Sequence, residues 1–445
     1  MSLPRRILYA LLLVGFAVSV AAVLLARKEA PVPQLKERRG ALAVGGEWLN
    51  TKQAVAGLQE KLRRNPDDYE ARLQLAQAYV QESRVTGDHT YYDAAALKLV
   101  DEVLLKRPDD FEALCTKAVI SLSQHHFGQG LTLAERAAEL NPYNGFVQGL
   151  LCDAHVELGH YPEAIKAADR MNELRPDLRA YSRVSYLREI HGDVNGAKEA
   201  MDLAVRAGVT GLEQTEWCRV MLGRLYENSG QLAPAEAAYR QALQTRPGYA
   251  YAQAGLARVA RTRGDYHTAI RLLKQARAQV RDFAFDDELT DLYRLNNQPT
   301  QADASAQNVI KQLQAHANTN DQEDGQGHYT DRELAYAYLK AGDLDQALKH
   351  AQTEYERRPA NIDVCETMAW VHYKRNEYAE ARKYMTQALR TNCRNPQLLY
   401  RAGCIALRNG EVAQGESWLR QAREQNPNFK PDPTDPTPAL LVARR

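Results

Sequence analysis

The sequence predicts an all-α protein, a right-handed solenoid of about ten helical hairpins preceded by one transmembrane helix. Three observations support this fold class. A short proline motif recurs at a fixed spacing, small residues recur where paired helices would cross, and one long apolar run lies near the amino terminus. The alternation of polar and apolar residues that is typical of strands is absent. We therefore expect paired helices without a sheet.

The composition of the chain excludes several classes of protein. Its 445 residues include 57 Lys and Arg against 56 Asp and Glu, a balance that argues against a protein that coats nucleic acid. Hydrophobic residues make up 44% and charged residues 25%, as in ordinary soluble domains. The six cysteines form no CxxC pair, so we expect no metal site, redox centre or other cofactor.

An uncharged apolar run extends over residues 7–26, between Arg6 and Arg27. Twenty residues at about 1.5 Å rise span about 30 Å, so this run predicts one membrane-spanning helix. A cleaved signal peptide is the alternative, because Ser19, Val20 and Ala21 provide small residues at the spacing that signal peptidase recognises. We favour the uncleaved anchor, with residues 1–28 as the membrane segment.

The basic residues around this run give two opposite indications of topology. Their number on each side favours a cytoplasmic body. A short basic start followed at once by an apolar run is typical of a bacterial export signal, and this favours an extracytoplasmic, periplasmic body. We expect the periplasmic location and keep the cytoplasmic one as the alternative. Residues 29–57 are rich in Pro, Gly and charged residues, and are predicted to form a tether.

Repeats begin at about residue 58. The motif that ends each unit occurs as NPDD, RPDD, NPYN and RPDL from residues 65, 107, 141 and 175. Pro108, Pro142 and Pro176 lie 34 residues apart, which is the length of a helix–turn–helix unit. Proline ends the second helix because it lacks the backbone donor and clashes with the preceding turn.

One stretch, QTEWCRVMLGRLYENSGQLAPAEAAYRQALQTRP at residues 214–247, resembles the tetratricopeptide repeat (TPR). The positions that carry the resemblance are Leu222, Gly223, Tyr226, Gly230, Leu232, Ala235, Tyr239, Ala242 and Pro247. Gly230 would end the first helix in a left-handed conformation, and Ala235 would let two helices cross closely. Membrane-anchored bacterial proteins of this family are the nearest resemblance, and it implies a right-handed superhelix over residues 58–429.

The predicted units differ in regularity. An excess of eight residues lies around residues 83–92, the unit before residue 211 lacks its proline, and the unit at residues 282–309 is degenerate. Residues 430–445 are proline-rich and are predicted to form an extended or disordered tail.

Motifs for catalysis are absent from the sequence, and we predict that the protein is not an enzyme. The cluster HANTNDQEDGQGHYTD at residues 316–331 fails the calcium-loop pattern, so we interpret it as a solvated loop between repeats. The adjacent His125 and His126 are interpreted as a helix end that leads into Phe127. Cys365 and Cys393 would meet at the two ends of one hairpin, where a disulfide is one interpretation and two free thiols are the favoured one.

The TPR resemblance implies a concave groove lined by the first helix of each hairpin. Reading the repeat positions gives Arg179 and Tyr186, followed by the predicted groove residues Trp217, Arg224, Tyr251, Arg258, Arg261, Tyr329, Arg332, Tyr336, Trp370, Tyr373, Lys374, Tyr400 and Arg408. Arginine with tyrosine and tryptophan is typical of protein-binding surfaces, although such tyrosines often only pack on the next repeat. These residues favour an extended, acidic or carboxylate-bearing partner segment.

These observations together predict a membrane-tethered scaffold for protein–protein interactions. The family resemblance implies a role in the assembly or maturation of an envelope complex or another complex. A regulatory or ligand-sensing solenoid and a soluble exported protein are the alternatives, and a ligand sensor would have a compact deep pocket rather than a long open channel.

Overall fold

The computed structural model describes residues 34–36, 51–317 and 327–431. The chain divides into two units, Met1–Lys36 and Glu37–Arg445. The predicted membrane segment at residues 7–26 and most of the predicted tail at residues 430–445 lie outside the described residues. Among the helices that are described, none has the length and apolar character needed to cross a membrane.

The described part of the second unit consists of 21 α-helices and contains no strand. The helices are α1 Lys52–Arg64, α2 Tyr69–Thr86, α3 His89–Lys106, α4 Phe111–Ser123, α5 Phe127–Leu140, α6 Gly145–Leu158, α7 Tyr161–Leu174, α8 Leu178–Ile190, α9 Val194–Ala207, α10 Glu213–Asn228, α11 Leu232–Thr245, α12 Ala250–Thr262, α13 Tyr266–Gln279, α14 Phe283–Leu295, α15 Pro299–Ala317, α16 Asp331–Ala341, α17 Leu344–Arg357, α18 Ile362–Lys374, α19 Tyr378–Ala388, α20 Pro396–Arg408 and α21 Val412–Gln425. The prediction of an all-helical solenoid is confirmed.

These helices pair into ten hairpins within the described residues, from α2–α3 to α20–α21. Helix α1 precedes them and begins at Lys52, inside the segment that was predicted to be a tether. Its first turn is stabilised by the Thr51 hydroxyl, which accepts a hydrogen bond from the backbone N–H of Ala54 at 3.2 Å. This cap explains why the helix starts earlier than the repeat pattern indicates.

The irregular units also form hairpins. Helices α2 and α3 each have 18 residues, whereas α6 and α7 have 14 each, so the predicted excess of eight residues adds about one turn to each helix. The degenerate unit forms α14 and α15. Packing against neighbouring hairpins therefore compensates for a weak local pattern.

Close helix crossings depend on small residues, as the repeat pattern predicts. Tyr239 is completely buried, and a Cβ added to Gly223 or Gly255 would lie 2.5 Å from its ring. Ala235 and Ala242, on the same helix as Tyr239, are also completely buried. One large ring thus fills the space between two first helices, and only glycine leaves room for it on either side.

The superhelix also contacts itself across one full turn, a feature that the sequence did not predict. The backbone N–H of Tyr329 donates to the carbonyl of Gln124 at 3.1 Å. The side-chain amide of Asn361 donates to the carbonyl of Glu157 at 3.0 Å, across 204 positions of sequence. We call this set of contacts the inter-turn contact. In each of the first five hairpins, the loop between the two helices contacts the segment that directly follows the hairpin five units later; these loops lie at residues 87, 125, 159, 192 and 230.

The densest part of the inter-turn contact surrounds Gly159. This residue has a φ of +79°, and a Cβ there would lie less than 3.0 Å from the carbonyl oxygen of Ala360. Arg358 forms an ion pair with Glu157 at 2.5 Å, and the Tyr161 hydroxyl accepts a hydrogen bond from the backbone N–H of Ile362 at 2.9 Å. The two turns therefore touch backbone to backbone here, without a layer of side chains between them.

Histidines form another part of the inter-turn contact. His125 and His126 do connect α4 to α5, but both also reach the next superhelical turn. His125 Nδ1 lies 2.8 Å from the carbonyl oxygen of Tyr329, and His126 Nε2 lies 2.6 Å from that of Gly327. The rings of His125 and His328 are 4.2 Å apart. The predicted helix end is thus also a long-range contact.

Candidate functional site

The first helices of all ten hairpins line one central cavity of about 1690 Å³. Because the second superhelical turn lies on the first, the inter-turn contact closes the groove along its side. Typical small-molecule sites have volumes of about 300–1,000 Å³. The cavity is therefore large enough for a segment of polypeptide, and the second superhelical turn encloses it in part, unlike the open groove that the sequence predicted.

Much of the cavity wall on the second turn is already packed. The rings of Trp370 and Tyr373 stack at 4.7 Å, and Trp370 is only 3% exposed. The Arg401 guanidinium lies 4.9 Å from the ring centre of Trp370 and 5.1 Å from that of Tyr336, and it pairs with Glu366 at 2.9 Å. These aromatic side chains stabilise the wall and offer little surface to a ligand.

Arg258 is also occupied within the wall. Its guanidinium pairs with Glu227 at 3.0 Å and with Glu288 at 3.0 Å. Burial acts to lower the pKa of Arg258, but the two carboxylates outweigh burial and raise it above its ordinary value. Arg258 therefore links three neighbouring first helices and is not available to bind a partner.

Two more cations of the second turn are neutralised in the same manner. Lys340 pairs with Asp287 at 2.8 Å and Asp291 at 3.0 Å, and these carboxylates raise its pKa although burial acts in the opposite direction. Arg332 lies 4.0 Å from Asp363, which likewise raises its pKa against the effect of burial. The second-turn wall thus carries little uncompensated charge.

The first-turn wall has a different character. Five of its side chains face the cavity on α8, α10 and α12, and we call them the recognition cluster: Arg179, Tyr186, Trp217, Arg224 and Arg261. Tyr186 is 39% exposed and Trp217 is 38% exposed, in contrast to the buried Trp370. Seven residues separate the arginine from the aromatic residue on both α8 and α10, which corresponds to about 10 Å along each helix. Arginines and aromatic rings therefore alternate across the wall.

Positive charge accumulates beside this cluster. Burial lowers the pKa of Arg179, the nearby guanidiniums of Arg183 and Arg84 lower it further, and Asp177 acts in the opposite direction. Arg183 is held by Asp153 at 2.5 Å, whereas the structure gives Arg179 no such ion pair among the described residues. The neighbouring guanidinium groups repel one another, so a bound anion would be stabilised in this region.

The remaining arginines of the cluster have no direct ionic partner in the part of the chain that the structure describes. Within the described part of the chain, neither Arg224 nor Arg261 forms an ion pair or a side-chain hydrogen bond. Burial raises the pKa of Glu189, and the positive charge of Arg224 partly offsets this effect. This part of the cavity therefore offers guanidinium groups to a ligand.

Nine of the thirteen predicted groove residues line the cavity. They are Trp217, Arg224, Arg258, Arg261, Arg332, Tyr336, Trp370, Lys374 and Tyr400. The earlier pair, Arg179 and Tyr186, lines it as well. Sequence reasoning missed Arg84 and Arg401, because repeat position alone does not show which side chains the superhelical twist turns inward.

The other four predicted groove residues lie elsewhere, and for these the predicted placement was wrong. Tyr251 packs between Tyr249 and Phe285, at 5.6 and 5.8 Å between ring centres, beneath the end of α2. Tyr329 belongs to the inter-turn contact. Tyr373 is 7% exposed behind Trp370, and the Arg408 guanidinium lies over Tyr378 at 5.7 Å.

The candidates for metal or redox chemistry have simple structural roles. In the described residues no group of three or more His, Cys, Asp or Glu side chains could hold a metal ion, and residues 318–326 of the acidic loop lie outside that part. Asp331 pairs with His350 at 2.7 Å and with Arg357 at 2.5 Å. All six cysteines are free thiols, so Cys365 and Cys393 form no disulfide, and burial raises the pKa of Cys393 to about 12.

Comparison with known proteins gives matches along the repeat region. Three family models described as tetratricopeptide repeat match residues 228–293, 328–353 and 367–429. A TPR repeat-containing protein of Pseudomonas aeruginosa is 29% identical over 214 residues, which is 47% of this chain but only 34% of the length of that protein. An uncharacterized protein of Sinorhizobium fredii is 30% identical over 131 residues, which is 27% of this chain and 68% of that protein.

Solved structures with similar helical arrays share little sequence with the chain. The human IFIT1 dimer with PPP-AAAA has a TM-score of 0.48 and 14% identity, covering 77% of this chain and 78% of that one. A tetratricopeptide repeat protein from Parabacteroides merdae has a TM-score of 0.42 and 14% identity, covering 54% of this chain and 90% of that one.

Proposed function

Since the chain belongs to the tetratricopeptide repeat family, whose repeats generally bind other proteins, we propose that it is a scaffold that holds a partner's extended, acidic segment in its central cavity. The recognition cluster is the observation that carries this proposal. It combines exposed Tyr186 and Trp217 with arginines that form no ion pair among the described residues. In this proposal the protein positions a partner and catalyses no reaction.

The chemistry of the cluster supports an acidic segment. Guanidinium groups bind carboxylates through two parallel hydrogen bonds, and tryptophan and tyrosine supply apolar contact at little cost in conformational entropy. Arginine and aromatic positions about 10 Å apart along a helix match about three residues of an extended chain, at roughly 3.3 Å per residue. A segment in which acidic and apolar residues alternate about every three positions would therefore fit the wall.

Partial enclosure of the cavity supports an unfolded segment rather than a folded domain. The inter-turn contact closes the side of the groove, so a partner would enter from an end or during a transient opening of the turns. The volume exceeds that of usual small-molecule sites, which favours a peptide over the ligand-sensing alternative. A ligand sensor is the second candidate because the cavity is partly enclosed.

The cellular role that we propose follows from the sequence. The apolar run at residues 7–26 would tether the scaffold to a membrane, with the body in the periplasm, where it would act in assembly or maturation of an envelope complex or another complex. Cleavage after the small residues near Ala21 would instead release a soluble exported protein. Retention of the full-length chain in membranes washed at high salt and alkaline pH would support the tether.

Binding of a defined probe tests the proposed function. The probe is a labelled twelve-residue peptide with a carboxylate at every third position. We expect Arg224→Glu with Arg261→Glu to weaken binding at least tenfold and to reduce its salt dependence, because both guanidiniums are free to meet the probe. Trp217→Ala should mainly raise the dissociation rate and cost about 2 kcal/mol.

Arg408→Glu provides the matched control. Arg408 is exposed and lies on a first helix, but outside the cavity, so its reversal changes the net charge in the same direction, by half as much as the double variant, without reaching the probe. Equal effects of the control and the cluster variant would contradict binding in the cavity. Pull-down from detergent-solubilised membranes, followed by mass spectrometry, would then identify the natural partner.

A further inference from the structure

The last described residues of the chain turn back toward the first superhelical turn. Helix α21 ends at Gln425, and the Asn426 side chain donates to the carbonyl of Glu227 at 3.1 Å. The Asn428 side chain donates to the carbonyl of Gly230 at 3.0 Å. Two asparagines thus fix the direction in which the chain leaves the superhelix.

This direction leads along the cavity wall. The ring of Phe429 packs 5.7 Å from that of Tyr400, and Lys430 Nζ donates to the carbonyl of Thr262 at 3.4 Å. Residues 428–431 all line the central cavity, and Pro431 is the last of the described residues. The last described residues therefore form part of the cavity wall, beside the carboxyl end of α12.

The first residues that follow are complementary in charge to this part of the wall. Residues 432–445 read DPTDPTPALLVARR and begin with Asp432, two residues after Lys430. Lys430 contacts Thr262, the neighbour of Arg261, which has no ion pair among the described residues. Two residues of extended chain reach about 7 Å, so Asp432 is within reach of Arg261.

The spacing of the acidic residues matches the spacing of the helices. Asp432 and Asp435 belong to a DPTDPT repeat, and proline-rich chains favour the polyproline II conformation, in which three residues rise about 9 Å. Arg261 and Arg224 lie on α12 and α10, the first helices of neighbouring hairpins, and packed helices are about 8–10 Å apart. One acidic residue would thus face each arginine.

We propose that residues 432–445 bind in the central cavity as an intramolecular occupant, with Asp432 at Arg261 and Asp435 at Arg224. The proposal rests on the proposed function, because the same cluster would then be masked until a partner displaces the segment. A short tether gives an effective concentration in the millimolar range. If the free segment binds with a Kd of about 0.1 mM, it weakens partner binding about tenfold.

The experiment uses the full chain and the labelled acidic probe described above. Asp432→Lys with Asp435→Lys should release the segment and raise probe affinity about tenfold. Asp432→Glu with Asp435→Glu keeps both charges and should bind the probe as the unchanged chain does. A second measurement replaces Thr434 by a photo-reactive phenylalanine derivative in the full chain and maps its cross-links by mass spectrometry.

The outcomes separate this proposal from the proposed function. Tighter probe binding by the lysine variant, together with cross-links from position 434 to cavity residues such as Trp217, supports the intramolecular occupant. Equal affinity of all three chains overturns it and leaves the proposed function intact. If no chain binds the probe, the proposed function fails, and the cross-links alone test the intramolecular occupant. Cross-links from position 434 only to residues outside the cavity would then overturn it.

Discussion

Single residues at the hairpin turns determine whether two superhelical turns can touch. Gly159 and Gly264 occupy equivalent turns in different hairpins and have similar left-handed φ values of +79° and +85°. A Cβ at Gly159 would collide with the backbone of Ala360, whereas a Cβ at Gly264 would meet nothing within 4 Å. The two glycines therefore separate the cost of backbone strain from the cost of the lost contact.

Gly159→Ala should destabilise the protein more than Gly264→Ala. Both variants place a side chain at positive φ, which costs about 1–2 kcal/mol. Only Gly159→Ala must also push Ala360 away, and we expect a total loss of about 2–4 kcal/mol. Urea and thermal unfolding followed by circular dichroism would measure the difference, and equal losses would contradict a tight backbone contact at Gly159.

The contact of His125 with His328 predicts acid sensitivity. Burial lowers the pKa of His328 to about 2, and the positive charge of His125 and other nearby histidines acts in the same direction. Because the unfolded chain binds a proton near pH 6.5 and the folded chain does not, stability is complete above that pH and falls as the pH decreases. We expect a loss of about 1–2 kcal/mol by pH 5.

His328→Gln should flatten this pH dependence between pH 7 and pH 5. The glutamine keeps a polar side chain but does not titrate, so the difference in unfolding free energy between the two pH values should shrink. His267→Gln, a change at an exposed histidine of α13, is the control and should leave the pH dependence unchanged. Parallel curves for the unchanged chain and His328→Gln would contradict this account.

At the level of elements, the hairpins follow from local sequence. Tyr239, Gly223 and Ala235 occur within one repeat length, so their contacts are encoded by a pattern that recurs every 34 residues or so. The repeat pattern did not predict helix α1, because its cap at Thr51 is a single local signal that does not recur in the repeats. The units with weak patterns form hairpins because each neighbour supplies a packing surface.

Gly223→Ala tests the close crossing around Tyr239. The added Cβ would lie 2.5 Å from the buried ring, so the ring or the helix must move, and overpacking of this kind costs about 1–3 kcal/mol. Gly57→Ala in α1 is the matched control, because a Cβ there meets nothing within 4 Å and helix propensity favours alanine by up to about 1 kcal/mol. Unfolding in urea should show opposite signs for the two variants.

At the scale of the whole molecule, the inter-turn contact lay beyond prediction from sequence. Its partners are about 200 residues apart in the sequence; Asn426 and Glu227, for example, are separated by 199 residues. One partner lies in the loop within a hairpin and the other in a segment between hairpins, and these two kinds of loop share no sequence motif. The overlap of the turns removes Tyr251 and Tyr329 from the groove. The carboxylates that neutralise Arg258 come from two neighbouring hairpins. Its repeat position therefore predicted that the side chain faces the cavity, but not that the guanidinium is already paired.

Weakening the inter-turn contact should open the cavity without unfolding the hairpins, since each hairpin is stabilised mainly by its sequence neighbours. Glu157→Gln with Asn361→Asp removes the inter-turn ion pair and two amide hydrogen bonds, keeps the side-chain oxygen that caps α18, and leaves Arg358 its pair with Glu354 at 2.5 Å. A loss of one or two kcal/mol would multiply the population of the open form about 5–30-fold. Small-angle scattering should therefore show a larger radius of gyration at unchanged helical content, and the labelled probe should dissociate faster. Glu60→Gln, whose ion pairs with Arg63 and Arg64 lie within α1, should change neither quantity; a variant as compact as the control, with the same dissociation rate, would mean that neighbour packing alone closes the cavity.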